Sequence, residues 1–424
     1  MYGLVVRDSE WNSRVSQIER NLDATVCTPV ASRSELEGYV HRPTFKHVIY
    51  AQPEYMLVGT PPSKNLCSLQ SVVASLQIAE DPWVIDARNA LKRMEPGPER
   101  TRLDQRLSRA IDKHDTFAHK GLRDFERAAM EICSDLGAWA ADWYIEQVCK
   151  QAMQAGELFP EFCFTSSESE RKYLLKHLAR IELVPLPEDN KDEDSVEGAV
   201  DLLRRTSDKV DELVETLLSE KAGFEANEQE YRGLVFVTRR DAVLALTAVL
   251  MRHPRTKDEF TVGSLLGESG SSRRRAFLDI TRRLLRMPAN DTLGAFSIGE
   301  LNLIVATAVA EEGLDIQACC NVVRWDPPAN MVSWTQSRGR ARKQHSSFIV
   351  MLSDSRANAA DVLKWEELER KMTELYNTSQ EHRALLAGYE DDLMDEDDDE
   401  DNLRFIVEST GYVFPLFSFA DELI

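Results

Sequence analysis

Apolar positions along this chain fall into two patterns. Between residues 51 and 180 they recur at helical spacing, over Leu66 to Ile78, Pro98 to Asp115 and Leu122 to Met153. In the last stretch Phe125, Ala128, Ala129, Ile132, Leu136, Trp139, Trp143 and Val148 form one stripe, which predicts a single long amphipathic helix. Between 231 and 353 short solid apolar runs take over. GLVFVT (233–238), FTVGSLLG (260–267), Leu301–Ala306, Cys319–Trp325 and Ser347–Leu352 read as strands, with helices over Asp241–Met251 and Ser271–Leu285. Runs of that length without polar alternation suit strands buried on both faces, and the strand–helix order predicts a parallel sheet with helices on either side.

The flanks are patterned differently. Residues 1–45 read as a helix carrying Val15, Ile18 and Leu22, a proline-ended loop, and a helix start capped at Ser32 or Ser34. FKHVIY (45–50) reads as a strand by alternation. PEDNKDEDSVE (187–197) is an acidic linker, and one helix is expected from Gly198 to Ala222 through Val200, Leu203, Val210, Leu213 and Leu217. Val362, Leu363, Leu368, Met372 and Leu375 predict helices over 354–388. An acidic linker at 389–402 follows, then an end piece, 403–424, too short to bury a core. The fold class is therefore α/β: a parallel-sheet lobe with an all-helical insertion and C-terminal helices.

Composition adds limits. A chain of 424 residues predicts two or three domains. No apolar run is long enough to span a membrane, and the opening MYGLVVRDSEWN is not a secretory signal. The seven cysteines (27, 67, 133, 149, 163, 319, 320) show neither C-x-x-C pairing nor zinc spacing, so reduced thiols in a cytosolic or nuclear protein are expected. His114, His119 and His177 read as ordinary surface or interface histidines. Net charge is −21, yet residues 231–345 carry 17 Lys/Arg against 11 Asp/Glu, while 388–401 carry ten acids and no base. The local excess of base points to an anionic ligand.

The richest chemistry lies in LNLIVATAVAEEGLDIQACCNVVRWDPPANMVSWTQSRGRAR, Leu301 to Arg342. Here a strand ends on Thr307, Gly313 and Asp315, a second strand is stopped by Asp326-Pro327-Pro328, and a helix is expected from Ala329 through Arg342. Ligands of open α/β sheets sit beyond the carboxyl ends of the strands, and Thr307, Gly313, Asp315 and the arginines are all expected at that edge. Arg338, Arg340 and Arg342 cannot share one helix face, and they suit a phosphate, which arginine grips as a fork.

TAVAEEGLDI resembles motif V of superfamily 2 helicases, and QSRGRAR resembles motif VI. The wording QSRGRAR after RWDPP is similar to Dicer and the RIG-I-like receptors, and most of all to the Dicer-like proteins of filamentous fungi. The resemblance implies the following division. Residues 1–50 would hold the end of a first RecA-like lobe and the lead-in strand of the second, and 51–186 a helical insertion that contacts double-stranded RNA. A connection (187–230) leads to the second RecA-like lobe (231–353), with VFVTRRDAV as motif IV and VGSLLGESGSSRRRAF as motif IVa. Pincer helices (354–388), the acidic linker (389–402) and the start of a dimerisation domain (403–424) follow. It implies ATP and Mg²⁺ as ligands. Gln336, Gly313, Asp315, Arg340 and Arg342 would lie at the nucleotide, with Arg340 and Arg342 as arginine fingers and Gln336 beside them in the catalytic set. Thr238, Arg239 and Thr307 would contact RNA phosphates. Many relatives place the second finger where this chain has Lys343.

Other readings stay open for single residues. Arg338 can pair within its own lobe, Thr307 can be a strand-end cap, and Arg273 to Arg275 can be an exposed helix start. Glu311 and Glu312 read as structural, and the Trp139/Trp143 pair as core. No G-x-x-x-x-G-K-[ST] occurs, and the D-E-x-D at Asp395–Asp398 lies inside the acidic run rather than after a strand. The P-loop and the Mg²⁺ ligands are therefore expected on a first lobe supplied in cis or in trans, and ribonuclease III carboxylates beyond residue 424. The chain is expected to be a piece of a longer protein, with double-stranded RNA and a double-stranded-RNA-binding protein as partners and no membrane. Whether it is an ATP-dependent enzyme module is left open beside two alternatives. One is an inactive RNA-binding or protein-interaction fragment. The other is part of a RIG-I-like receptor or of a DNA-directed helicase, whose motif VI usually reads G-R-T-G-R.

Overall fold

The computed structural model describes residues 41–59, 62–158, 167–186, 194–266, 289–307, 319–328, 331–354 and 367. Six strands form one sheet: β1 (Thr44–Tyr50), β2 (Gly233–Phe236), β3 (Val262–Leu265), β4 (Leu303–Ala306), β5 (Asn321–Arg324) and β6 (Ser347–Ser353). Every pairing is parallel, in the order β1-β6-β5-β2-β4-β3. Strands β2, β4, β5 and β6 are buried at every position, which is why their sequences show no alternation. The edge strand β1 keeps a mixed pattern and pairs Thr44 with Ser347.

The described helices are α1 (Tyr55–Val58), α2 (Lys64–Ala74), α3 (Pro82–Arg93), α4 (Pro98–Lys113), α5 (Phe117–Leu136), α6 (Ala138–Leu158), α7 (Glu168–Leu178), α8 (Asp194–Arg205), α9 (Asp208–Glu225), α10 (Arg240–Arg252), α11 (Ala289–Ile298) and α12 (Met331–Arg338). One sheet face, through Val235, Val305, Val323, Trp325 and Ile349, shares a continuous apolar core with α5, α6, α9 and α10. On the other face Trp334 of α12 meets Phe348 edge-on at 5.0 Å and Phe45 at 5.3 Å. Within the helical region Leu66, Phe125, Ile145 and Leu174 belong to the same core as the sheet. Val84, Ala87 and Leu107 of α3 and α4 make a satellite cluster. Trp139 is buried and Trp143 packs half-buried against the core, as their spacing predicts.

Two expected helices are each broken in two. The stripe from Leu122 to Met153 divides at Gly137, and the helix from Gly198 to Ala222 divides at Thr206-Ser207. The two breaks pack on each other. Ser207 N–H donates to the Leu136 carbonyl at 3.1 Å, and Ser207 Oγ donates to the Asp135 carbonyl at 2.6 Å. Gly137 has φ 101°, and a Cβ there would lie 2.3 Å from the Arg205 carbonyl oxygen. Beside this junction the buried Asp142 accepts from Ser63 Oγ, from Asn65 N–H at 3.1 Å and from the Arg205 guanidinium, tying α2, α6 and α8 together.

The expectation for the histidines changes in part. His114 is exposed, but His119 and His177 are buried, and both pack on the Tyr173 ring. Burial, helped by the charges of His114, Arg123 and His177, pushes the His119 imidazole down from 6.5 to about 4. The regions 1–40 and 271–285, and the helices expected over 354–388, lie outside the described residues or nearly so.

Gly137→Ala is expected to destabilise the chain by about 3 kcal/mol or more, because strain and a backbone clash coincide. Gly223→Ala in α9, where nothing lies within 4 Å, is expected to stabilise it by about 0.5–1 kcal/mol. Thermal melts followed by circular dichroism separate the two. The folded chain resists protonating His119, whereas the unfolded chain takes that proton near 6.5. Stability present above pH 6.5 is thus lost as pH falls toward about 4, by about 1–2 kcal/mol, and His119→Phe removes that part of the urea-midpoint profile.

Candidate functional site

Parallel strands place every strand end of one kind at one edge. At the carboxyl edge Thr238 follows β2 and Thr307 follows β4, the strand beside it. Thr307 N–H continues the ladder to the Leu265 carbonyl at 3.1 Å, and its side chain is largely buried. Thr238 is exposed, and its N–H donates to Asp326 Oδ2, just past β5, at 2.8 Å. Arg239 faces two acids: its guanidinium pairs with Glu131 of α5 and with Asp241, Nε reaching Asp241 Oδ1 at 3.1 Å.

The arginine cluster is elsewhere. Helix α12 ends at Arg338, short of the expected Arg342. Gly339 and Arg340 form a turn, with Arg340 N–H on the Ser337 carbonyl at 3.1 Å and Ala341 N–H on the Arg338 carbonyl at 3.1 Å. Ala341 then bridges Cys319, whose N–H donates to the Arg340 carbonyl at 3.0 Å. Lys343 Nζ donates to the Glu230 carbonyl at 3.0 Å, and Arg342 Nε to the Gly339 carbonyl at 2.6 Å. Cys319 and Glu230 precede β5 and β2, so residues 340–343 stand at the amino edge. The expectation that they share the carboxyl edge with Thr307 is corrected. The helix between two parallel strands must run back along the sheet, and its last turn therefore lands at the opposite edge from its first.

That turn gathers Arg338, Arg340, Arg342 and Lys343 within six residues, with Gln336 half-buried on α12 one step earlier. Arg342 is exposed, and Arg338 and Arg340 are partly so. Gly313 and Asp315 lie outside the described residues. Behind the turn, burial pushes the Cys319 thiol up to about 12 although the Arg340 and Lys343 charges oppose it, and burial raises Cys320 too. Both are inert neighbours of the cations. Among the described residues no group of three His, Cys, Asp or Glu side chains could hold a metal ion, and no helix is long and apolar enough to cross a membrane.

Sequence reasoning missed two groups here. Asp326 appeared only as a strand stop, yet it holds the Thr238 amide. Lys209, buried at the start of α9, reaches Asp326 as well. Neither residue type nor spacing singles out a lysine on an amphipathic helix.

Residues 208–345 match the helicase conserved C-terminal domain family. The chain is 34% identical over 399 residues to Dicer-like protein 2 of Neosartorya fischeri, covering 93% of this chain and 26% of that protein. It is 31% identical over 403 residues to Dicer-like protein 2 of Aspergillus terreus, covering 95% and 27%. It thus spans about a quarter of the length of these relatives. Among solved structures it is similar to the Pyrococcus furiosus Hef helicase domain, with a TM-score of 0.35, 18% identity, and coverage of 83% of this chain and 64% of that one. Over 93% of its length this chain is similar to a Dicer-like protein, and residues 208–345 carry a helicase conserved C-terminal domain.

Proposed function

We propose that this chain is the helicase C-terminal portion of a Dicer-like ribonuclease III, acting in RNA silencing and antiviral defence. Its Arg338–Lys343 turn forms the cationic wall of an ATP-hydrolysis site, and its carboxyl edge holds the backbone of double-stranded RNA. The observation that supports it best is the turn itself: four cationic residues on backbone pinned by the Cys319–Ala341 bridge. Guanidinium stays charged at any working pH and meets phosphate oxygens two at a time. Arg340 and Arg342 stabilise charge developing on the γ-phosphate, Gln336 contacts the nucleotide, and Gly313 and Asp315 line the cleft from motif V. The Mg²⁺ ligands and the P-loop belong to a first RecA-like lobe in cis or in trans.

Thr238 and Thr307 hold RNA phosphates from adjacent strand ends. Arg239 joins them only by exchanging carboxylate partners for phosphate. The lack of a P-loop motif favours a second reading, an RNA-binding module without turnover.

The chain alone is expected to bind blunt double-stranded RNA, more weakly as salt rises, and to leave ATP intact. Combined with a P-loop lobe, Arg340→Ala or Arg342→Ala is expected to lower kcat by about 10³-fold with little change in KM. ATP turnover on RNA by the chain alone, or an unchanged kcat in both variants, would overturn the proposal. No RNA binding at low salt would remove both readings.

A further inference from the structure

Lys209 is 3% exposed. Its ammonium stands 4.2 Å from the centre of the Trp325 ring and 5.0 Å from that of Tyr50. Asp135 Oδ1 lies 3.8 Å away and Asp326 Oδ1 3.7 Å away. Four elements meet at this one charge: the end of α5, the start of α9, and the carboxyl ends of β1 and β5. The second oxygen of Asp326 is the acceptor for the Thr238 amide. An ammonium withdrawn this far from water is tolerated only where neighbouring groups replace its hydration, and the two carboxylates and two rings do so.

We infer that Lys209 is a positioning residue. Its charge holds the Asp326 carboxylate in the orientation that binds Thr238 N–H, and so latches the β2–α10 loop to the helical region through Asp135. The effect on RNA rests on the function proposed for that loop; the latch itself does not. Without the lysine charge, Asp326, whose side chain is 28% exposed, turns toward water and releases the amide. A neutral asparagine at 326 has less reason to turn, and its Oδ1 still accepts.

Backbone amide exchange on the full chain tests this, with double-stranded RNA binding by fluorescence anisotropy alongside. Lys209→Met keeps an apolar stem over Trp325 and removes the charge. Exchange at Thr238 is expected to quicken about tenfold, with β4 and β6 little changed, and RNA affinity to fall about fivefold. Lys209→Met/Asp326→Asn is expected to return both to near wild type, which a purely structural lysine would not allow. Unchanged exchange at Thr238 in Lys209→Met overturns the inference. So does a uniform rise across β4 and β6 that the second substitution leaves in place. If Lys209→Met loses its cooperative melt, the double variant decides: protection at Thr238 supports the latch, and its loss overturns it. A wild-type chain that binds no RNA defeats the proposed function, while the exchange data still judge the latch.

Discussion

Every strand of the sheet points the same way, and most of the molecule's organisation follows from that constraint. Each connection has to carry the chain back along the sheet before the next strand can begin. Helix α12 does so between β5 and β6, so the segment that starts beside Asp326 ends beside Cys319 at the opposite edge. Threonines that follow strands and arginines that follow a helix are thereby kept apart. Strands of four residues are about 13 Å long.

A second constraint joins the helical region to the sheet. The break between α5 and α6 and the break between α8 and α9 are two halves of one contact, closed by backbone groups of Leu136 and Ser207 and by the missing side chain of Gly137. Asp142 lies just behind it, with Arg205 as its counter-charge. Within two residues of the same junction Asp208 accepts the Ala51 amide at 2.6 Å, and Lys209 turns inward to Trp325. Core, buried polar groups and site edge are thus fastened at one place.

What could be read in advance depended on the range of the forces involved. The strands were legible because burial on both faces writes a solid apolar run, and GLVFVT and Ser347–Leu352 differ from the observed strands only at their ends. The helix breaks were not legible. Leu136 and Trp139 keep the apolar stripe going across Gly137, and only the approach of residues 205–207 makes that glycine necessary. Residue type and spacing mark the arginines, but not their edge: they follow a helix rather than a strand, and a crossover helix ends at the amino side of the sheet. Lys209 left no trace, because its partners come from three distant parts of the chain.

Strand β1 has a consequence for biosynthesis. Among the described residues its one neighbour in the sheet is β6, synthesised about 300 residues later. At about 5–20 residues per second a ribosome takes roughly 15–60 s to cover that distance. For that interval Thr44–Tyr50 emerges without the strand that completes its hydrogen bonds, while the helices between can already pack. Until β6 arrives, the newborn chain therefore presents Thr44–Tyr50 as a single-file template that foreign strands could copy.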